Sequence, residues 1–177
     1  MCKQCEYNPV WKFTNKRQLC AKCFLRYFEK KFLYTLRKYD MMRKGDKIYL
    51  IKSKDVKSLV LSYLLGMLSK DGLISIVKTK RTADKIILFN NLETTSRDII
   101  HEMFNGNVNK LNTSPIKGKE IKPLYLFLDK EIILYAKLRN LKFRILEEKK
   151  NKISSFIDNL EMKHPDIKSA IVKGWMR

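Results

Sequence analysis

Short hydrophobic runs of strand length alternate with longer amphipathic stretches along most of this 177-residue chain, and that alternation predicts an α/β fold built on a parallel sheet. Two further observations frame it. All four cysteines fall within the first 23 residues as two Cys-x2-Cys pairs, so a small four-cysteine module precedes the sheet. The 45% hydrophobic and 11% aromatic content is enough to bury a core, which excludes a wholly disordered chain. The length fits one domain with a small appendage. The expected division is residues 1–25 for the module and 26–177 for the α/β part, ending in a basic tail.

Cys2 with Cys5, and Cys20 with Cys23, each have knuckle spacing, in which two thiolates reach one ion and backbone amides point at the sulfurs. Together they complete a tetrahedral site with no position open for chemistry, so a structural zinc is expected. Two disulfides or four free thiols are the alternatives. Disulfides suit an exported chain, and the first residues carry no apolar signal core, which also argues against a secreted precursor. Metal binding would fold a segment too short to bury a core and would present Lys12, Lys16 and Arg17.

Phe24, Phe28, Phe32 and Leu36 then recur every four residues, predicting an amphipathic helix over 21–39 whose aromatics face a core. Its polar positions carry Lys22, Arg26, Lys30, Lys31, Arg37 and Lys38. After Gly45-Asp46, residues 47–52 read as a strand, 56–68 as a helix, 73–77 as a strand and 85–89 as another. A basic run with Lys78, Lys80 and Arg81 joins the last two. A helix is predicted over 94–104, extended chain over 121–126, a helix over 129–140, a short strand over 142–145 and a helix over 149–162. His164-Pro165 ends that helix, and a short basic tail follows.

Lys and Arg total 38 against 18 Asp and Glu, a net charge of +20, and the first 50 residues hold 13 of the former and 4 of the latter. Solubility needs far less, so phosphate is the expected counterpart. No run approaches 18 apolar residues, so a membrane span is not expected and the cytoplasm is the expected compartment. His101 beside Glu102, His164, and the Asp129-Lys130-Glu131 cluster read as surface or helix-end features, with no catalytic role.

The order of knuckles, Leu19-Cys20-x2-Cys23-Phe24, Phe28-Glu29, the Gly45-Asp46 turn and a hydrophobic strand resembles the cytosolic tRNA 2-thiolation family of PP-loop ATP pyrophosphatases. Ala83-Asp84-Lys85-Ile86 through Asn91-Leu92 to Met103-Phe104-Asn105-Gly106-Asn107 is similar to that family's strand, Asn-bearing loop and helix. Lys122-Pro123-Leu124 with Lys130-Glu131-Ile132-Ile133-Leu134-Tyr135-Ala136 is similar to its KPL…KE…LYA segment. The resemblance implies a reduced, Rossmann-like PP-loop domain and an ancestral activity of ATP-dependent sulfur insertion at the tRNA wobble uridine.

The chemistry-bearing parts of that pattern are altered. The family's SGGKDS phosphate loop falls on Ser53, Lys54, Asp55, Val56, Lys57 and Ser58, where side chains replace the glycines that let backbone amides approach phosphate. Its GHN-x-DD loop falls on Phe89-Asn90-Asn91-Leu92-Glu93-Thr94. The central CxxC and later Cys that serve sulfur transfer or hold an iron–sulfur cluster have no counterpart, since no Cys follows Cys23. The later Cys falls near Glu147-Glu148. ATP binding and an iron–sulfur cluster are therefore not expected, and the chain reads as a pseudoenzyme.

The leading expectation is a non-catalytic protein that binds folded RNA by shape and phosphate through Lys12, Lys16, Arg17, Lys22, Arg26, Lys30, Lys31, Lys78, Lys80 and Arg81, with no DNA preference. A ribosomal site that accepts tRNA or lies between subunits, silencing translation, ranks ahead of free tRNA. The alternatives are a tRNA-binding component or divergent enzyme of wobble-uridine 2-thiolation, and a protein-only scaffold for that pathway.

Overall fold

The structure, a computed structural model, describes residues 1–2, 4–107, 113–144 and 152–175. Two short strands, β1 (Trp11–Lys12) and β2 (Gln18–Leu19), form an antiparallel hairpin between the two cysteine pairs. Lys16 takes a positive φ of 63° in its turn. The first helix, α1, is Ala21–Lys38, with Cys20 as its N-cap. Its four-residue repeat is its buried face: Phe24, Phe28, Phe32 and Leu36 are at most 6% exposed. Phe28 stacks on Tyr135 at 4.1 Å and meets Phe127 at 4.6 Å. Trp11 and Phe13 of the hairpin pack on Phe24 and Tyr27 at 5.3 and 5.0 Å. The cysteine module and the α/β part thus share one core, and α1 runs without a break past residue 25.

The main sheet contains β3 (Lys47–Tyr49), β4 (Ser75–Val77), β5 (Lys85–Ile87), β6 (Ile116–Lys117) and β7 (Glu120–Ile121) in the order β4-β3-β5-β7-β6. All neighbours are parallel except β6 against β7. The remaining helices are α2 (Val56–Lys70), α3 (Leu92–Phe104), α4 (Asp129–Leu138), α5 (Lys152–Lys163) and α6 (Ile167–Trp175). Helices α1, α2 and α4 share one core with Ile48, Ile87 and Ile121 of the sheet. Leu92 and Ile99 of α3 form a second, smaller core with Tyr125 and Val172. The strand order reverses between β3 and β5, which places a crevice beyond their carboxyl ends, where the N-termini of α2 and α3 point. The link from β4 to β5 has no helix of its own, only a 3-10 turn at Lys80–Thr82.

Three expectations need correction. Residues 122–127 are not extended: Tyr125 N–H bonds to Lys122 O and Phe127 N–H to Leu124 O, turns that follow from a proline that cannot donate to a ladder. The strand that does form, β7, is entered from β6 through a turn at Gly118, with φ of 57°. The basic tail is in fact α6, whose Ile167, Ile171 and Trp175 repeat every four residues and whose Lys168 and Val172 are buried. Of the strand expected over 142–145, Arg144 makes one isolated parallel bridge to Asp55. Ile145, Glu147-Glu148 and the expected helix start at Lys149 lie outside the described residues. No described helix is long and apolar enough to cross a membrane.

Candidate metal centre and phosphate-loop crevice

The two knuckles converge. Cys5 Sγ lies 3.2, 3.6 and 3.7 Å from the sulfurs of Cys20, Cys23 and Cys2, and all four lie within 4.8 Å of one another. Four sulfurs around one tetrahedral ion at about 2.3 Å stand about 3.8 Å apart. The first knuckle closes through Glu6 N–H to Cys2 O at 2.9 Å, with Glu6 at a positive φ of 57°. The second lies at the start of α1, where the helix dipole favours thiolate. Hydrogen bonds from the backbone of Cys20 and Gln4 pull the Cys2 thiol down to about 6, while sharing with Cys20 and burial push Cys5 up to about 12. A metal would displace these shared protons. The donor set therefore fits a metal centre.

Ser53 to Ser58 lie at the carboxyl end of β3, at the N-terminus of α2, where the resemblance places a phosphate loop, and the chain's own groups fill the space. Asp55 caps α2 by accepting from Lys57 N–H at 3.0 Å, so the donor a phosphate would use is already engaged. Ser58 Oγ accepts from Ser53 N–H at 3.0 Å and donates to Ile51 O at 3.1 Å. Ser53 Oγ accepts from Asp55 N–H, and Lys54 O accepts from Arg144 N–H at 3.2 Å. Val56 is buried.

Lys57 does not face solvent as a free cation. Its Nζ is 3.1 Å from Asp129 Oδ1 and donates to Asn91 Oδ1 at 3.3 Å. Asn91 caps α3 through a capping box with Thr94, and its Nδ2 donates to Asp129 at 2.7 Å and Glu93 at 2.9 Å. Glu93 also accepts from Asp129 N–H at 3.0 Å. From the far side comes Lys168 of α6, only 7% exposed, 2.6 Å from Glu161 and 3.7–3.8 Å from Asp158 and Glu93. One polar chain thus ties α2, α3, α4, α5 and α6 across the crevice. Burial and the Asp129 carboxylate raise Glu93 to about 7, against the pull of Lys168. Burial disfavours the Lys168 ammonium, but Glu161, Glu93 and Asp158 outweigh it and raise its pKa.

Sequence reasoning located the loop but missed Lys168, Asp158 and Glu161; the four-residue repeat of α6 was the available signal. The basic residues divide. Lys12, Lys16, Arg17, Lys22, Arg26 and Lys30 are exposed on the hairpin and α1, and Lys78, Lys80 and Arg81 are exposed beyond β4. Lys31 belongs to neither group: it pairs with the buried Glu131 at 2.7 Å and lies 4.6 Å from the Phe127 ring centre. His101 is exposed beside Glu102 at 3.3 Å, and His164 is exposed at the end of α5.

No protein-family profile matches the chain, and neither does any curated protein. Among solved structures, its fold is similar to that of the U34-tRNA thiolase NcsA from Methanococcus maripaludis with its [4Fe-4S] cluster. The TM-score is 0.80 at 20% identity, over 99% of this chain and 86% of that one. The chain shares the fold of that thiolase.

The likeness corrects one expectation from sequence. Exclusion of an iron–sulfur cluster rested on the lack of any Cys after Cys23. The thiolase of this fold carries a [4Fe-4S] cluster, and here four thiols stand together at the N-terminus. Tetrahedral sulfur sets serve both zinc and iron–sulfur centres, so counting later cysteines cannot exclude a cluster.

Proposed function

We propose that this chain is a non-catalytic RNA-binding protein on a tRNA thiolase scaffold, with tRNA as its ligand. One observation carries the reading: the crevice at the strand-order reversal is crossed by Lys57, Asn91, Glu93, Asp129 and Lys168, which engage one another, while the basic residues of the hairpin and, Lys31 apart, those of α1 face solvent. Nucleotide phosphates would have to displace Asp55 from its capping bond and break the Lys57–Asp129 pair. The charge lies where a folded RNA can meet it, on a module that a metal centre folds. Residues 1–25 present Lys12, Lys16 and Arg17, and residues 26–177 supply the support. A site on the ribosome that accepts tRNA, with translation silenced there, offers the same phosphates on a larger partner. The structural relative is a U34-tRNA thiolase, which favours tRNA itself.

Equilibrium dialysis with ATP and gel-shift titration with a tRNA transcript at two salt concentrations test the reading together. No retained ATP and steeply salt-dependent tRNA binding are expected. The competing reading is a divergent thiolation enzyme, favoured by the relative's cluster and the four clustered thiols here. ATP retention with thiolation of the transcript would establish it and sink ours. Sedimentation of native lysate at low and high salt separates the two RNA partners: salt-sensitive comigration with ribosomes would replace tRNA by the ribosome.

A further inference from the structure

The outer face of α1 carries more than diffuse charge. Lys22, Arg26, Lys30, Tyr34 and Lys38 follow at intervals of four residues and are all exposed, and Arg37 is exposed between the last two. Each interval rises about 6 Å and drifts about 40° around the axis, so the row climbs about 24 Å as a shallow spiral that keeps step with the buried stripe of Phe24, Phe28, Phe32 and Leu36. The two charged groups of α1 that make ion pairs point elsewhere. Glu29, the helix's one acid, pairs with Arg139 and accepts from the Tyr135 hydroxyl, and Lys31 pairs with Glu131. Among the described residues, no carboxylate pairs with any cation of the row.

Tyr34 sits inside it. Its side chain is 52% exposed. The contrast is Tyr27 on the same helix, packed on Phe13 at 5.0 Å and bonded to Glu131 at 3.0 Å. The Tyr34 hydroxyl has no hydrogen-bond partner among the described residues. Lys38 Nζ lies 5.9 Å from the centre of the Tyr34 ring and 5.2 Å from that of Tyr39. An aromatic ring held open between Lys30 and Lys38 is built for stacking on a base whose phosphates those cations contact.

We infer that the outer face of α1 binds a single RNA strand, with Lys22, Arg26 and Lys30 tracking its phosphates and Tyr34 stacking on one unpaired base. This rests on the RNA-binding reading and sharpens it: the ligand element is an unstacked nucleotide of a loop or end, because bases inside an A-form stem are already stacked.

The test compares the full-length protein with Tyr34→Ala, Tyr34→Phe and the triple reversal Lys22→Glu/Arg26→Glu/Lys30→Glu. Each is titrated with a tRNA transcript, a single-stranded oligonucleotide and a blunt RNA duplex. Tyr34→Ala is expected to weaken binding to the first two by roughly five- to hundredfold without changing the salt slope, and Tyr34→Phe to restore it. Duplex affinity stays unchanged in both. The triple reversal lowers the salt slope by about 3. If Tyr34→Ala binds the transcript like the parent while the triple reversal does not, the face contacts phosphate only. The stacking inference then falls and the RNA-binding reading stands. If the parent protein binds none of the three, both fall.

Discussion

The N-terminal module with α1 and the crevice beyond β3 are both rich in cations, and the fold treats them in opposite ways. On the outer face of α1, Lys22, Arg26 and Lys30 are exposed with no carboxylate paired to them among the described residues. In the crevice, Lys57 and Lys168 are held 2.6–3.8 Å from carboxylates and are largely buried. A lysine in the first arrangement keeps its field for a ligand. In the second, that field is spent within the molecule. Net charge alone does not distinguish a binding surface from a sealed site.

The strongest way to break this comparison is to deny the four thiols a metal. Chelation, or Cys20→Ser, is expected to unfold residues 1–20 and reduce RNA affinity more than tenfold. The α/β part should hold, because Phe28 and Phe32 of α1 stay packed. Hydrogen exchange would show protection lost in the module alone; loss throughout α1 would mean that the module and the sheet are one unit. Metal analysis of the same sample, for zinc or for iron with acid-labile sulfide, identifies the centre.

Two substitutions on one helix sharpen the contrast. Lys31→Ala leaves Glu131, 2% exposed, without its cation and should cost about 3 kcal/mol in a denaturant melt, with RNA affinity unchanged while the protein stays folded. Lys30→Glu, one position away, should leave stability within about 0.5 kcal/mol and lower RNA affinity and its salt slope. Equal effects would erase the distinction. In the crevice, Lys168→Met should destabilise by about 2 kcal/mol, since it leaves Glu161 and Glu93 without the cation they share. An unchanged melting midpoint would show that Lys168 does not hold α6 in place.

The smallest effect is a slope in pH. Burial, with the Asp129 carboxylate, raises Glu93 from an ordinary 4.5 to about 7, so between these values the folded state binds the extra proton. Its contribution to stability is therefore present at pH 4.5 and is lost as pH rises through 7. Glu93→Gln should flatten that decline between pH 4.5 and 7. A decline as steep as in the parent protein would assign it to other groups.

Much of the fold was legible because periodicity reports burial directly. The spacing of Phe24, Phe28, Phe32 and Leu36 gave α1, and alternating strand and helix signals gave the parallel sheet. The misses have physical causes. Leu124, Tyr125 and Phe127 are apolar and buried without being extended, and Pro123 turns that run away from the ladder. In α6, six charged residues between 161 and 177 obscured the repeat of Ile167, Ile171 and Trp175. The loop from Ser53 to Ser58 was legible as altered, but what fills it was not.

The sequence by itself determined the four-thiol site, since two knuckles near a helix start need little beyond local geometry to bring four sulfurs together. It also determined the excess of positive charge and the α/β class. The tertiary structure alone decided which cations remain available. Lys30 and Lys31 are adjacent and chemically identical, yet Lys31 meets a carboxylate 100 residues away, and Lys57 meets Asn91 across 34. Such pairings depend on which segments the sheet order brings together, and no local pattern encodes them.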